Sequence, residues 1–130
     1  MLELLLERGY DVSVLVGDAD DVPVAQDLVS GAGSERVRLV VPTTPDELVE
    51  AVSAVEVVVA ARYHNVVGAL RCATPVVALC YAPKHRDLMA LMGVEDLCHE
   101  LRGLDAERLA DHVDEVHRDR KGVRAHLEQR

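Results

Sequence analysis

Residues 57–80 read Val57-Val58-Val59-Ala60-Ala61-Arg62-Tyr63-His64-Asn65-Val66-Val67-Gly68-Ala69-Leu70-Arg71-Cys72-Ala73-Thr74-Pro75-Val76-Val77-Ala78-Leu79-Cys80. Two apolar runs, 57–61 and 75–80, bracket a segment expected to be helical from about Asn65 to Cys72. Runs without polar alternation suit strands covered on both faces, which is the pattern of parallel sheets. A helix between two such strands closes a right-handed crossover and sets them side by side.

The pattern extends in both directions. Thr44-Pro45-Asp46-Glu47 is a capping box with proline at the first helical position, and Leu48, Val49, Val52 and Val55 follow at helical spacing. Short strands are expected at 12–16 and 37–41, the second closed by Pro42. Residues 2–8 place Leu2, Leu5 and Leu6 on one helical face and stop at Gly9. Asp20 or Asp21 can cap a helix beginning near Pro23, packing Val24 and Leu28 and ending at Gly31 and Gly33. Towards the other end, Pro83 opens a helix expected to turn Leu88, Leu91 and Met92 inward and to stop at Gly93. A last helix, over 105–130, carries Leu109, Val113 and Val116. The alternation predicts an α/β fold in which a Rossmann-like parallel sheet is flanked by helices, as a single domain over 1–130.

A chain of 130 residues is large enough to bury roughly two-thirds of the surface its unfolded form exposes. Its formal net charge of -9 argues against nucleic acid as a partner, since a polyanion rewards a broad positive field. The bases Arg118, Arg120, Lys121, Arg124 and Arg130 read as a solvated helix end. No apolar run approaches the 18 or so residues of a membrane span. The opening Met1-Leu2-Glu3-Leu4-Leu5-Leu6-Glu7-Arg8 has acids within its apolar run and no basic leader. Cys72, Cys80 and Cys98 lack disulfide or zinc spacing, so a cytoplasmic location is expected. Tyr10, Tyr63 and Tyr81 are the only aromatics among Phe, Trp and Tyr, too few for a base-stacking platform.

From Val57 to Arg86 there is no Asp or Glu, against 23 in the whole chain; a uniform spread would place about five there. The window nevertheless holds Arg62, Arg71, Lys84, Arg86, His64 and His85. Burial removes acids from parallel strands, but it would remove bases too. Ligands of open parallel sheets sit beyond the carboxyl ends of the strands, where helix amino termini point their free amides. Arg62, His64 and Asn65 fall at one such end, and Tyr81, Lys84 and Arg86 at the next. Together they form a candidate pocket for a small anion, gripped by Arg, held by Lys as a point charge, with His64 as general acid or base. Asp18, Asp20 and Asp21 are accounted for by helix capping, His112 and His117 do not share a helical face, and Cys80 reads as a packing residue. No GxGxxG or P-loop follows a strand, and no cofactor is expected.

Three motifs occur here in order: Arg62-Tyr63-His64 after a strand, Thr74-Pro75 leading into the next, and Tyr81-Ala82-Pro83-Lys84 after it. In this the chain resembles the polysaccharide pyruvyltransferase family, more loosely over residues 1–116 and including the Gly17-Asp18-Ala19-Asp20-Asp21 turn. The resemblance implies the carboxyl-terminal half of a GT-B type fold with twin Rossmann-like halves. It implies transfer of a pyruvyl group from phosphoenolpyruvate to a sugar as a ketal. Arg62 and His64 would be catalytic and hold the donor with Asn65, Tyr81, Lys84 and Arg86. The sugar or glycan acceptor would be met through a first half outside this sequence. It further implies that the opening strand of this half, central in a Rossmann-like order, is missing between the strands at 12–16 and 57–61. Those two are then expected either to come together or to leave an apolar seam. Two other readings stand beside it: a nucleotide-sugar-binding domain of a related glycosyltransferase, and a non-catalytic interaction module or remnant.

Overall fold

A computed structural model describes residues 2–129. Met1 and Arg130, quoted above in the amino-terminal run and the basic end, lie outside the described residues. In chain order the elements are α1 (Leu2–Glu7), β1 (Val12–Leu15), α2 (Val22–Ala32), β2 (Val37–Val40), α3 (Pro45–Ser53), β3 (Val58–Ala60), α4 (Tyr63–Arg71), β4 (Val76–Cys80), α5 (Pro83–Leu91), β5 (Cys98–Glu100), α6 (Ala106–Arg118) and α7 (Arg120–Glu128). Single 3-10 turns occupy Ala19–Asp21 and Glu95–Leu97. No helix is long and apolar enough to cross a membrane among the described residues.

The fold is mixed α/β with two small parallel sheets flanked by helices. β1 pairs with β2, Val12 opposite Val37. β4 lies between β3 and β5, with Val58 opposite Val76 and Ala78 opposite Cys98. β1 and β3 are not paired with each other, and among the described residues no strand lies between them. A groove of about 1680 Å³ separates them. Of the two arrangements expected for these strands, the chain adopts the open seam.

The core is unevenly divided. Val76, Val77 and Ala78 of β4 are fully buried, and Val66, Ala69, Met89, Leu109 and Val113 pack around them. β4 therefore carries the two-sided burial that its unbroken apolar run predicts. β1, by contrast, is half-buried at every position, because one of its edges has no partner strand. The Thr74 hydroxyl, wholly buried, donates to the Val52 carbonyl at 3.0 Å and ties the end of α3 to the start of β4.

Local signals account for most boundaries. Thr44 Oγ1 accepts from the Glu47 amide at 3.2 Å while Glu47 returns a carboxylate to the Thr44 amide, completing the capping box. Hydrogen bonds from the Thr43 hydroxyl and amide, followed by the one from the Thr44 amide, hold the Glu47 carboxyl below its ordinary value. Gly9 and Gly33 end their helices at φ 91° and 57°, where a side chain would be strained.

Several expectations are corrected. Val24 and Leu28 are 64% and 50% exposed; α2 instead buries Ala25 and half-buries Val22, Val29 and Ala32. Gly31 lies inside α2 rather than ending it. Leu91 is 74% exposed, and α5 instead buries His85 and Met89. The single helix expected over 105–130 is two, broken at Asp119. The second docks back, with Leu127 buried and His126 hydrogen-bonded to the Met92 carbonyl, so this basic end is only partly solvated. β5 has no sequence signature of its own and forms at the edge of β4.

Candidate functional site

The paired strands β3 and β4 end side by side, and α4 and α5 start directly beyond them. Neither helix receives a side-chain cap: Arg62 and Ala82 occupy the cap positions with extended backbone and no capping hydrogen bond from their side chains. Their first-turn amides and positive dipole ends thus point out at the same edge of the sheet, the arrangement that receives anions. Side-chain caps come from Asp18, Thr44 and Asp105, while α2 and α7 also lack one; α4 and α5 differ in opening side by side at neighbouring strand ends.

Six nominated residues come to this edge in two groups. Arg62, His64 and Asn65 gather around Gly17, at the end of β1. The His64 Nε2 lies 2.8 Å from the Gly17 carbonyl. A carbonyl only accepts, so Nε2 carries the hydrogen and Nδ1 is the nitrogen left to exchange a proton. Asn65 is 5% exposed, and its Oδ1 has no hydrogen-bond partner among the described residues. A Cβ on Gly17 would sit 2.8 Å from Asn65 Nδ2 and 3.1 Å from Arg62 Cγ. Gly17 therefore belongs to the site through close approach, which the turn's smallness hinted at but no local pattern specified.

The second group, Tyr81, Lys84 and Arg86, lies just past the end of β4 and at the start of α5. Lys84 Nζ stands 4.7 Å from the Tyr63 ring centroid, over its face. Tyr81 is 55% exposed and leans against the His85 ring, 4.6 Å between centroids. His85 is fully buried; its Nε2 donates to the Ala61 carbonyl at 2.7 Å and its Nδ1 has no partner among the described residues. It is a structural histidine beneath the site, holding the end of β3 against α5. Asn65 Oδ1 and His85 Nδ1 are both acceptors, so what they lack is a donor such as a hydroxyl, not an anion.

The acid-free window does not remain a bare cationic patch. Arg62 makes a bidentate pair with Asp21, at 2.8 and 2.9 Å to its two oxygens, which raises the guanidinium pKa further. Arg86 is paired with Glu100 of β5. Both acids lie outside the window, 41 and 14 residues away. Lys84 has no salt-bridge partner among the described residues.

The remaining candidates separate from this edge. Cys98 is pushed up to about 12, mainly by burial and then by the neighbouring Cys80 thiol, so it is held as the unreactive thiol. His112 contacts His99, and His117 faces Glu56. Among the described residues no three metal-ligating side chains come together.

Set against protein-family models, curated proteins and solved structures, the chain matches none of them.

Proposed function

We propose that this chain binds phosphoenolpyruvate as the donor-binding part of a polysaccharide pyruvyltransferase-like enzyme, with the fold corresponding to the second half of a GT-B arrangement. The observation that carries the proposal is the pair of helix amino termini without side-chain caps, α4 and α5, opening side by side at the ends of β3 and β4. Phosphate and carboxylate, the two anionic groups of the donor, suit two such termini. The motif residues Arg62, His64, Tyr81 and Lys84 stand at the same place.

In the reaction, the donor methylene takes a proton and a sugar hydroxyl adds to the enol carbon. A second sugar hydroxyl then displaces phosphate, and the ketal forms with no change of oxidation state in the protein. Lys84 and the helix amides hold the departing phosphate, and His64 Nδ1 exchanges the proton. Arg62 is exposed in its pair with Asp21. Exposed pairs hold weakly in water, so a doubly charged ligand can draw the guanidinium away. The acceptor sugar needs surfaces beyond this site.

Isothermal titration with phosphoenolpyruvate tests the reading. Saturable heat that is lost in Lys84→Ala and weakened in Arg62→Ala is expected. A folded chain giving no heat, or one that prefers a nucleoside diphosphate, rejects it, the latter in favour of a nucleotide-sugar site.

A further inference from the structure

Two helix starts that act as one site need a part that fixes the distance between them, and His85 stands where such a part must be. It lies in the first turn of α5 and is fully buried. Its Nε2 donates across to the Ala61 carbonyl, 2.7 Å away. Ala61 follows the last β3–β4 ladder pair, Ala60 opposite Ala78, and directly precedes Arg62, the cap residue of α4. The bond therefore runs from the start of one helix to the residue that leads into the other.

The imidazole is also held by two aromatic rings. Tyr63, the first residue of α4, meets it edge-on, 5.5 Å between centroids and 82° between planes, and Tyr81 leans on it at 4.6 Å. Tyr63 in turn lies under Lys84 Nζ. The first turns of α4 and α5 thus interlock through Tyr63, Lys84 and His85. Histidine is an expensive choice for this place, because its Nδ1 is buried with no partner among the described residues. A buried polar atom left unpaired costs about 1–3 kcal/mol, which an apolar side chain of similar size would avoid. What the imidazole supplies and an apolar group cannot is a directional bond to Ala61.

We propose that His85 is the positioning residue that sets the separation of the two helix amino termini, and through it the site's preference for small molecules carrying two anionic groups over those carrying one. This role rests on the donor-site reading and adds what makes that site selective. An anion with one charged group engages a single terminus and is indifferent to the separation. Phosphoenolpyruvate, whose carboxylate and phosphate branch from one carbon, engages both termini only when the separation matches, so preorganisation of the pair decides its affinity. Loss of the Ala61 bond frees the end of β3 to shift against α5 while Arg62, Lys84 and the helix amides stay chemically unchanged. His85 itself makes no ligand contact, since its ring lies wholly beneath the surface.

Three substitutions separate the bond from the bulk of the ring. In His85→Gln the side-chain amide can place an N–H where the imidazole Nε2–H stands; in His85→Asn it is too short to reach Ala61, and His85→Leu fills the space with no donor. Each intact variant is titrated with phosphoenolpyruvate and with inorganic phosphate, alongside urea unfolding. The parent and His85→Gln should prefer phosphoenolpyruvate. In His85→Asn and His85→Leu that preference should fall by at least about tenfold while phosphate affinity is retained. If His85→Leu does not fold, the comparison of asparagine with glutamine carries the test. A residue that merely supports the fold would weaken both anions alike, in step with lost stability, and that result overturns the proposal. So does an unchanged preference in the asparagine and leucine variants, or a loss in His85→Gln as large as theirs. A parent that binds no phosphoenolpyruvate rejects the donor-site reading and this role with it, whereas a parent that binds it with the same preference as all three variants rejects this role alone.

Discussion

Replacing Gly17 by alanine tests whether Arg62, His64 and Asn65, around the start of α4, are held against the end of β1. The added Cβ would lie 2.8 Å from Asn65 Nδ2, 3.1 Å from Arg62 Cγ and 3.3 Å from His64 Nε2. The first distance cannot persist, so something must move. Asn65 is 5% exposed and has little room, while Arg62 is anchored at its far end by Asp21. Forced displacement in a packed site costs about 1–3 kcal/mol, and that is the expected loss in urea unfolding. Gly31, inside α2 with nothing within 4 Å of an added Cβ, supplies the control. There, alanine should leave stability unchanged or raise it by up to about 1 kcal/mol through helix propensity. Nitrogen-15 NMR of the His64 ring adds a local readout, since loss of the Gly17 carbonyl contact frees Nε2 and lets the tautomers mix. If Gly17→Ala unfolds at the same urea concentration as Gly31→Ala and its His64 signals match those of the parent, the close approach described here is wrong.

Two further substitutions probe the frame around the site. Met89 is fully buried under β4, and Met89→Ala should destabilise by about 2–5 kcal/mol in urea, a smaller loss meaning that the cavity collapses around it. Tyr10→Phe removes the hydroxyl bonded to Asp114, and its effect should change with pH in two windows. The hydroxyl, followed by Arg8, holds the Asp114 carboxyl below its ordinary value. That stabilisation is present above the unfolded carboxylate range and lost as pH falls through the folded value, so parent and variant, differing by about 1 kcal/mol at neutral pH, should converge in acid. Tyr10 itself is raised to about 12, chiefly by burial. The parent alone should therefore lose stability as pH rises from about 10 towards 12, and a constant gap across the whole range would contradict the assignment.

Elements whose cause is local could be read from the sequence. Thr44 and Glu47 lie three residues apart and complete each other's bonds, and the apolar run before Cys80 needed no distant information to be placed inside. The errors have non-local causes. Val24 and Leu28 have helical spacing suited to burial, yet the spacing does not reveal that α2 turns its Val22, Ala25, Val29 and Ala32 face to the strand pair instead. His85 was grouped with the bases of the acid-free window, although the Ala61 carbonyl and the rings of Tyr63 and Tyr81 make it a core residue. β5 contains a histidine and a glutamate and pairs only because β4 offers an edge. At the site, the positions of Arg62, His64 and Lys84 were legible from strand ends and helix starts. The acids that neutralise Arg62 and Arg86 were not, because Asp21 and Glu100 reach them across the fold.

That neutralisation changes what the acid-free window means. A guanidinium already engaged by Asp21 is both a ligand group in waiting and one of the braces across the groove. An anion that draws Arg62 towards α4 must release Asp21, which begins α2, and so removes one of the two contacts closing the carboxyl end of the seam; His64 on Gly17 is the other. A proton transferred at His64 Nδ1 would leave its Nε2–H on the carbonyl and that second contact intact. Anion binding therefore acts on the seam through Arg62 and not through His64. Arg62→Ala should therefore alter donor affinity and the exchange rates of the Ser13 and Leu15 amides together. A change confined to Nδ1 chemistry should leave those exchange rates where they were.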